Sequence, residues 1–438
     1  MKWKFSLFNF FVFLQKQVLI KNYLSGSVIK ISKRSFTNLT EIIERNHEMP
    51  NWARNLASSN MILVKEDIDE ISVFRNMLQD SFNESGKKLM IYFLPTLLCQ
   101  FNCYYCFEKQ KYAFTKTMTK ETENLFIKWL IKYLNLNPEI SEVRIIFFGG
   151  EPLVRKDVIM RVLDETKRIT SSLGITISTE LITNGELIDE KIMEVFKKYS
   201  LKRLQITLDG YKKYHNKIRF STKGGSFDNI ISNILYVVKN DLISKIDLRI
   251  NLSEDNYISV KKLIQYINKI GLSPRISLTI GIVEDYGNSC GGCNKQDIEK
   301  ITAGRYLRLI LLAQELGFEV QSEFSAGPIC FAKIKHSVVI KPNGAMQKCF
   351  CSVANESYDF STLNNEESNI NLFDFRYSLD INRIGKCISE RCPFIPICNG
   401  GCTWRSVFKN PENGHLSRTC NKDAMEIINA GLIRANIY

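Results

Sequence analysis

The sequence predicts an α/β chain organised around a parallel sheet of six β/α units, fewer than the eight of a full barrel, with a small α+β module before it and a cysteine-rich domain after it. Three observations predict this. From Leu89 onward apolar runs alternate with amphipathic segments, the pattern of repeated β/α crossovers. Ahead of Leu89, the stretch from Gln17 to Ile31 reads as strand, turn and strand. Beyond about residue 286 the regular alternation gives way to cysteines at short intervals.

At 438 residues there is room for two or three domains with sizeable cores. With 45% hydrophobic and 24% charged residues the chain is ordinary globular material, which excludes the disordered and fibrous classes. The net charge of +13 suits nucleic acid, an anionic surface or an acidic substrate. Lys-rich solvated faces account for it as well, and no segment resembles a nucleic-acid-reading motif, so no nucleic-acid partner is expected. No apolar run reaches the length of a transmembrane helix. Thirteen cysteines cannot all pair within one chain, and their clustering in short loops is metal-like, which implies reduced thiols and a cytoplasmic location.

Taken in order, residues 1–87 form the N-terminal module. Its start, from Met1 to Leu14, has the basic end and apolar core of a short signal peptide. Against that, there is no A-x-A-like cleavage site, and the pattern continues into strand candidates at 17–22 and 24–31 with Ser25-Gly26 as the turn. A polar helical stretch follows near Asp67 to Asp80. Residues 88–285 hold strand candidates at 89–95, 143–148, 175–182, 203–208, 246–251 and 275–281. Helix candidates lie at 121–134, 155–168, 189–199, 228–239 and 257–269. In the first helix Leu125, Phe126, Trp129, Leu130, Tyr133 and Leu134 share a face, and Thr119 with Glu121 and Glu123 makes a good start. Residues 286–329 read as a connector, 330–425 as the cysteine-rich domain and 426–438 as a C-terminal tail.

The chemistry concentrates at strand ends, where a barrel of this kind places it. Directly after the first strand come Cys99, Cys103 and Cys106 at x3 and x2 spacing. Three thiolates in one tight loop can hold three irons of a cubane cluster and leave the fourth open for chemistry. Zinc, which asks for a tetrahedron and usually for paired cysteine motifs with His, and an unliganded structural loop are the weaker readings. The second strand ends in Gly149-Gly150-Glu151-Pro152, where glycines let backbone approach a ligand and a carboxylate can accept from an ammonium group. The next strands end in Thr183-Asn184-Gly185 and Thr207-Leu208-Asp209-Gly210, which are also good turn sequences. His215 and Arg219 follow at x3 spacing.

The spacing C-x3-C-x2-C, with Tyr105 before the last cysteine, resembles the radical S-adenosylmethionine (radical SAM) superfamily. The resemblance implies a partial (β/α)6 TIM-like barrel. It also implies a 4Fe–4S cluster whose open iron is chelated by SAM, and a 5′-deoxyadenosyl radical that abstracts hydrogen from substrate. Carried onto this chain, it makes Cys99, Cys103 and Cys106 the catalytic cluster ligands. Tyr105, Gly149, Gly150, Glu151, Pro152, Thr183, Asn184 and Thr207 become cofactor-binding residues, with Glu151 at the methionine amino group. Arg219 would clamp the SAM carboxylate through its fork, while His215 is read as structural.

Further on, Cys290 and Cys293 stand in the connector, then Cys330 and Cys349, then Cys387, Cys392, Cys398, Cys402 and Cys420. The run Cys392 to Cys402 resembles the SPASM extension of radical SAM enzymes, which implies two auxiliary 4Fe–4S clusters with interleaved ligands. By that resemblance Cys330, Cys349 and Cys402 serve the first, and Cys387, Cys392, Cys398 and Cys420 the second. Two departures stand out. The pair Cys387/Cys392 is C-x4-C rather than C-x2-C, and the cysteine expected a few residues before Cys330 is absent, Phe324 and Ser325 standing there. The missing cap is assigned first to Cys290/Cys293, with Cys351 and an iron left open to a substrate thiolate as alternatives.

These resemblances imply a maturase that modifies a peptide, with a ribosomally made precursor as the expected substrate and thioether or carbon–carbon links among the outcomes. Its partners would be the peptide and an electron donor such as a flavodoxin or ferredoxin. The N-terminal module would either bind a leader peptide along a strand edge or cap the barrel. An anaerobic sulfatase maturase is the second enzyme reading, and a non-catalytic peptide-binding or cluster-scaffold protein is the reading of another class.

Overall fold

The structure, a computed structural model, describes residues 2–58, 60–103, 105, 106, 108, 116–221, 224–283, 300–321, 330–365, 384–402 and 420–435. Its N-terminal module opens with β1 (Trp3–Phe5), β2 (Asn9–Phe13), β3 (Gln17–Asn22) and β4 (Val28–Ser32). α1 (Lys33–Glu44), α2 (Asn51–Ser58), β5 (Leu63–Lys65) and α3 (Glu70–Ser85) follow. Strands β2, β3 and β4 form an antiparallel sheet in that order, and β1 pairs with β5. The stretch with signal-peptide character thus forms strands β1 and β2. The turn after β3 forms because Asn22 Oδ1 accepts from the backbone N–H groups of Leu24 and Ser25, and Gly26 takes φ +76°. One face of the sheet buries Val18 and Ile20 against Leu39, Ala53 and Leu56 of α1 and α2.

The barrel follows as β6 (Lys88–Phe93), α4 (Lys120–Leu136), β7 (Glu142–Phe147), α5 (Lys156–Ser172), β8 (Thr176–Thr183), α6 (Glu190–Lys198) and β9 (Leu201–Thr207). It continues through α7 (Lys212–Ile218), α8 (Phe227–Lys239), β10 (Ile246–Leu252), α9 (Tyr257–Lys269) and β11 (Ile276–Ile282). Strands β6 to β11 pair in sequence order, all parallel. Each sequence-predicted strand and helix has its counterpart here. Helix α4 starts where expected, with Thr119 Oγ1 accepting from Thr122 N at 3.2 Å, and it buries Phe126, Trp129, Leu130, Tyr133 and Leu134 against the sheet.

The sheet also runs across both of the expected domain borders. Within the expected connector lie α10 (Lys300–Glu315) and β12 (Glu319–Gln321), which extends the parallel sheet beyond β11. At the other edge β13 (Ser337–Ile340) lies parallel to β6, followed by antiparallel β14 (Ala345–Gln347) and β15 (Ser361–Thr362). The expected tail is also different: α13 (Lys422–Arg434) buries Met425, Ile428, Leu432 and Ile433, after the short helices α11 (Gly385–Ser389) and α12 (Ile395–Cys398). Spacing of three to four puts these apolar residues on one stripe. α13 packs closely on α10, since a Cβ on Gly431 would fall 2.1 Å from Leu307 Cδ2. Its Ile433 meets Val12 and Leu19 of the N-terminal sheet.

Candidate functional site

The cluster loop leaves the carboxyl end of β6 and is fastened on three sides by backbone. Leu97 N donates to Lys116 O at 2.7 Å, Asn102 N to Phe220 O at 2.8 Å, and Glu151 N to Leu98 O at 2.8 Å. The glycines after β7 make the last contact possible. A Cβ on Gly149 would lie 2.4 Å from Thr96 O, and one on Gly150 2.4 Å from Leu98 O. Their first effect is therefore to admit the cluster loop's own backbone, where the sequence suggested close approach to a ligand. Pro152 begins a short 3-10 turn, and Glu151 caps it by accepting from Leu153 N.

Glu151 is fully buried. Its carboxylate accepts from Thr183 Oγ1 at 2.7 Å, Leu153 N at 3.0 Å and Asn184 N at 2.7 Å. Burial pushes its pKa up, and those three donors pull against that push. A carboxylate offers about four lone-pair sites, so room for a further donor is left. Asn184 braces the cluster loop directly: its Nδ2 donates to Cys99 Sγ at 3.8 Å and its Oδ1 accepts from Gln100 Nε2 at 3.2 Å. Thr207 is buried at the end of β9.

Arg219 lies against the cluster loop and the strand ends. Its Nη1 donates to Tyr105 Oη at 2.7 Å and pairs with Asp209 Oδ2 at 3.3 Å, while its guanidinium sits 5.7 Å from the centre of the Phe101 ring. Tyr105 also hydrogen-bonds Asp209 and accepts from Asn251 Nδ2. Arg219 Nε is buried without a hydrogen-bond partner among the described residues. The arginine thus ties the cluster loop to the ends of β9 and β10. Asp209 and Asn251 are functional candidates that sequence reading passed over; an acidic strand end ten residues before an arginine was the available signal. His215 is buried, contacts Ser226 Oγ at 3.2 Å, and burial depresses its pKa to about 3.

None of the described cysteines is in a disulfide. Their thiols fall into three groups. Cys99, Cys103 and Cys106 interact electrostatically with one another; burial pushes Cys106 up to about 12, with the Glu108 carboxyl beside it adding to the push. Cys351 interacts with Cys349, Cys402 and Cys330. Cys398 interacts with Cys387, Cys392 and Cys420, and burial raises it to about 11. That last group lines a small cavity of about 20 Å³ together with Phe394, Ile395 and Met425.

Backbone geometry explains the sorting. Asn399, Gly400 and Gly401 all have left-handed φ, at 51°, 77° and 86°, so the chain reverses sharply and sends Cys398 and Cys402 to different groups. The longer Cys387/Cys392 interval is taken up by α11 and by Arg391 at φ 50°, after which Cys392 N donates to Cys387 O at 2.9 Å. Cys290, Cys293, Phe324 and Ser325 lie outside the described residues.

Residues 93–267 match the model of the radical SAM superfamily. The chain therefore carries a radical SAM domain over this stretch. In sequence it is similar to the radical SAM cyclopropyl synthase TigE of Paramaledivibacter caminithermalis, 27% identical over 228 residues, or 43% of this chain and 48% of that one. It is also similar to a GTP 3',8-cyclase of Alkaliphilus metalliredigens, 32% identical over 159 residues, 36% of this chain and 45% of the other. The chain thus spans less than half the length of these curated relatives. In fold it is similar to anSMEcpe with bound AdoMet and Cp18Cys peptide, with TM-score 0.60, 15% identity, and 80% of this chain and 97% of that one covered. Streptococcus suis SuiB bound to precursor peptide SuiA aligns with TM-score 0.54 and 14% identity over 96% of this chain and 99% of that one. At these identities the likeness is one of fold.

A radical SAM domain implies a 4Fe–4S cluster and SAM, and the residues present fit both. Three thiols share one loop, and a buried carboxylate with acceptor room stands behind it. Among the described residues no three His, Cys, Asp or Glu side chains converge as a single metal ion requires. No helix among the described residues is long and apolar enough to cross a membrane.

Proposed function

We propose that the chain is a radical SAM/SPASM peptide maturase that uses one catalytic and two auxiliary 4Fe–4S clusters. The observation that carries this reading is the three thiol groups: one stands at the carboxyl ends of the barrel strands beside Glu151, and two stand in the region that follows. Cys99, Cys103 and Cys106 would hold the catalytic cluster. Glu151, kept in register by Thr183 and Asn184, would accept from the amino group of SAM, and Arg219 with Tyr105 and Asp209 would hold the loop still against the strand ends. When bound, cluster and SAM supply a carbon radical able to take hydrogen from an unactivated C–H bond, which ordinary side-chain bases cannot do. The barrel's polar lumen, where Arg249 and Asn251 line β10, would orient the substrate there.

The N-terminal sheet supports a peptide substrate. The likeness to SuiB, with its precursor peptide, covers 96% of this chain and so takes in most of residues 1–87. Strand β4 is a sheet edge among the described residues, with none of its residues fully buried, and it would receive a leader as an added strand. A flavodoxin or ferredoxin would deliver the electron. The higher TM-score to anSMEcpe favours a second reading, formylglycine formation on a sulfatase Cys or Ser.

The test is incubation of the reduced, anaerobically reconstituted protein with SAM and candidate peptides. The expected result is 5′-deoxyadenosine together with hydrogen loss from a precursor peptide in mass spectra. Formylglycine in a sulfatase-derived peptide would transfer the assignment to the second reading. Absence of 5′-deoxyadenosine above background would leave a binding protein.

A further inference from the structure

The first auxiliary group poses a specific question: what holds the fourth iron once Cys330, Cys349 and Cys402 hold three? The two turns that carry its first cysteines are fixed by protein alone. Cys330 precedes a 3-10 turn, Phe331–Lys333, and Cys349 precedes another, Phe350–Ser352. Tyr92 of β6 stands between them, its ring centre 4.7 Å from that of Phe331 and 5.0 Å from that of Phe350. Lys348 is buried beside Cys349, and its Nζ donates to Ile334 O at 2.7 Å, just past the first turn, and to Ser337 O at 2.8 Å, at the start of β13.

Cys351 lies inside the second of these turns. Its thiol hydrogen-bonds that of Cys349 and is within electrostatic reach of Cys330 and Cys402, so that four thiols share one neighbourhood.

We propose that Cys351 is the fourth protein ligand of this cluster, in a Cys349-x-Cys351 pair, so that no iron of it is left for a substrate thiol. The inference rests on the two-auxiliary-cluster reading given above. Its consequence is that the first auxiliary cluster passes electrons rather than binding substrate, because a cluster with all irons held by thiolates has no vacant Lewis-acid position. It also gives the turn from Cys349 to Ser352 a reason to be rigid. Ser352 N donates to Cys349 O at 3.2 Å across that turn.

The test uses the full chain with Cys99, Cys103 and Cys106 changed to Ala, so that only auxiliary clusters load. Iron per chain and the EPR spectrum of the reduced protein are recorded with and without added 2-mercaptoethanol. They are recorded for this parent, for Cys351→Ala and Cys351→Ser, and for the pair Cys290→Ala/Cys293→Ala. The expected parent spectrum does not respond to the added thiol. Cys351→Ala should lose about one iron per chain or gain a signal that the thiol shifts; Cys351→Ser should keep the iron with a changed spectrum; the Cys290/Cys293 pair should match the parent. A Cys351→Ala protein identical to a loaded parent overturns this assignment alone, as does a parent that binds the thiol. A parent without iron overturns the two-auxiliary-cluster reading and this assignment with it.

Discussion

The barrel and the cysteine-rich region answer the same problem, holding a thiol in place, by opposite means. In the barrel the support is burial. The Phe93, Phe126, Phe147 and Phe196 rings pack edge to face from sheet to helix layer at 4.9 to 5.9 Å, and β11 is buried along nearly its whole length. The cluster loop is then fastened to that wall by backbone hydrogen bonds. In the region from Gly385 to Cys402 the helices have five and four residues, and the chain reverses through left-handed Arg391 and Asn399. Such elements are too short to be stable by themselves. Their buried residues include Cys387 and Cys392 themselves. On the proposed reading, the first region would fold before metal arrives, and the second would draw part of its folding energy from metal binding.

The largest effect should come from withholding iron. Amide exchange over residues 387–398 should accelerate by about 10³-fold or more in metal-free protein, while β6 to β11 stay protected. Equal protection in both regions would erase the contrast. Next, Cys103→Ala should reduce SAM cleavage to the reagent background and leave the C-terminal amides as protected as in the loaded wild type, read by the same exchange experiment. In the opposite direction, Phe126→Ala should cost the barrel about 3–5 kcal/mol in denaturant melts without changing C-terminal iron. Glu151→Gln keeps the shape but removes the charge, and should raise the SAM dissociation constant about 10- to 100-fold, the worth of one charge-assisted hydrogen bond.

The smallest effect is on pH dependence. His215 is held neutral by burial, with a folded pKa of about 3 against an ordinary value of 6.5. Above pH 6.5 neither folded nor unfolded chain carries the proton. As pH falls the unfolded chain takes it up first, so stability is lost on the way down from 6.5 toward 3. Between pH 6.5 and 5 this should cost about 2 kcal/mol, and His215→Asn should flatten that limb in urea titrations.

The contrast also governs how much could be read from sequence. The barrel was legible because long apolar runs and helical stripes repeat five and six times, and hydrophobic periodicity survives any detail of packing. The added sheet edges were not. β12 spans only Glu319 to Gln321, and β13 reveals itself only by lying beside β6, some 250 residues earlier in the chain by their register from Ser337 to Met90. The three cluster-loop cysteines were legible by spacing, but the anchoring of Tyr105 was not. Its partner Asp209 lies 104 residues away and reads locally as a turn. Spacing gives Cys351 no special standing either, and only the turns packed around Tyr92 bring it toward Cys330.

The most direct test of the central claim is iron and sulfide analysis of two anaerobically reconstituted proteins, the wild type and the variant with Cys99, Cys103 and Cys106 changed to Ala. Three clusters held by separate thiol groups require about twelve irons in the first and about eight in the second. A wild type holding about four irons, with none in the variant, would contradict the account.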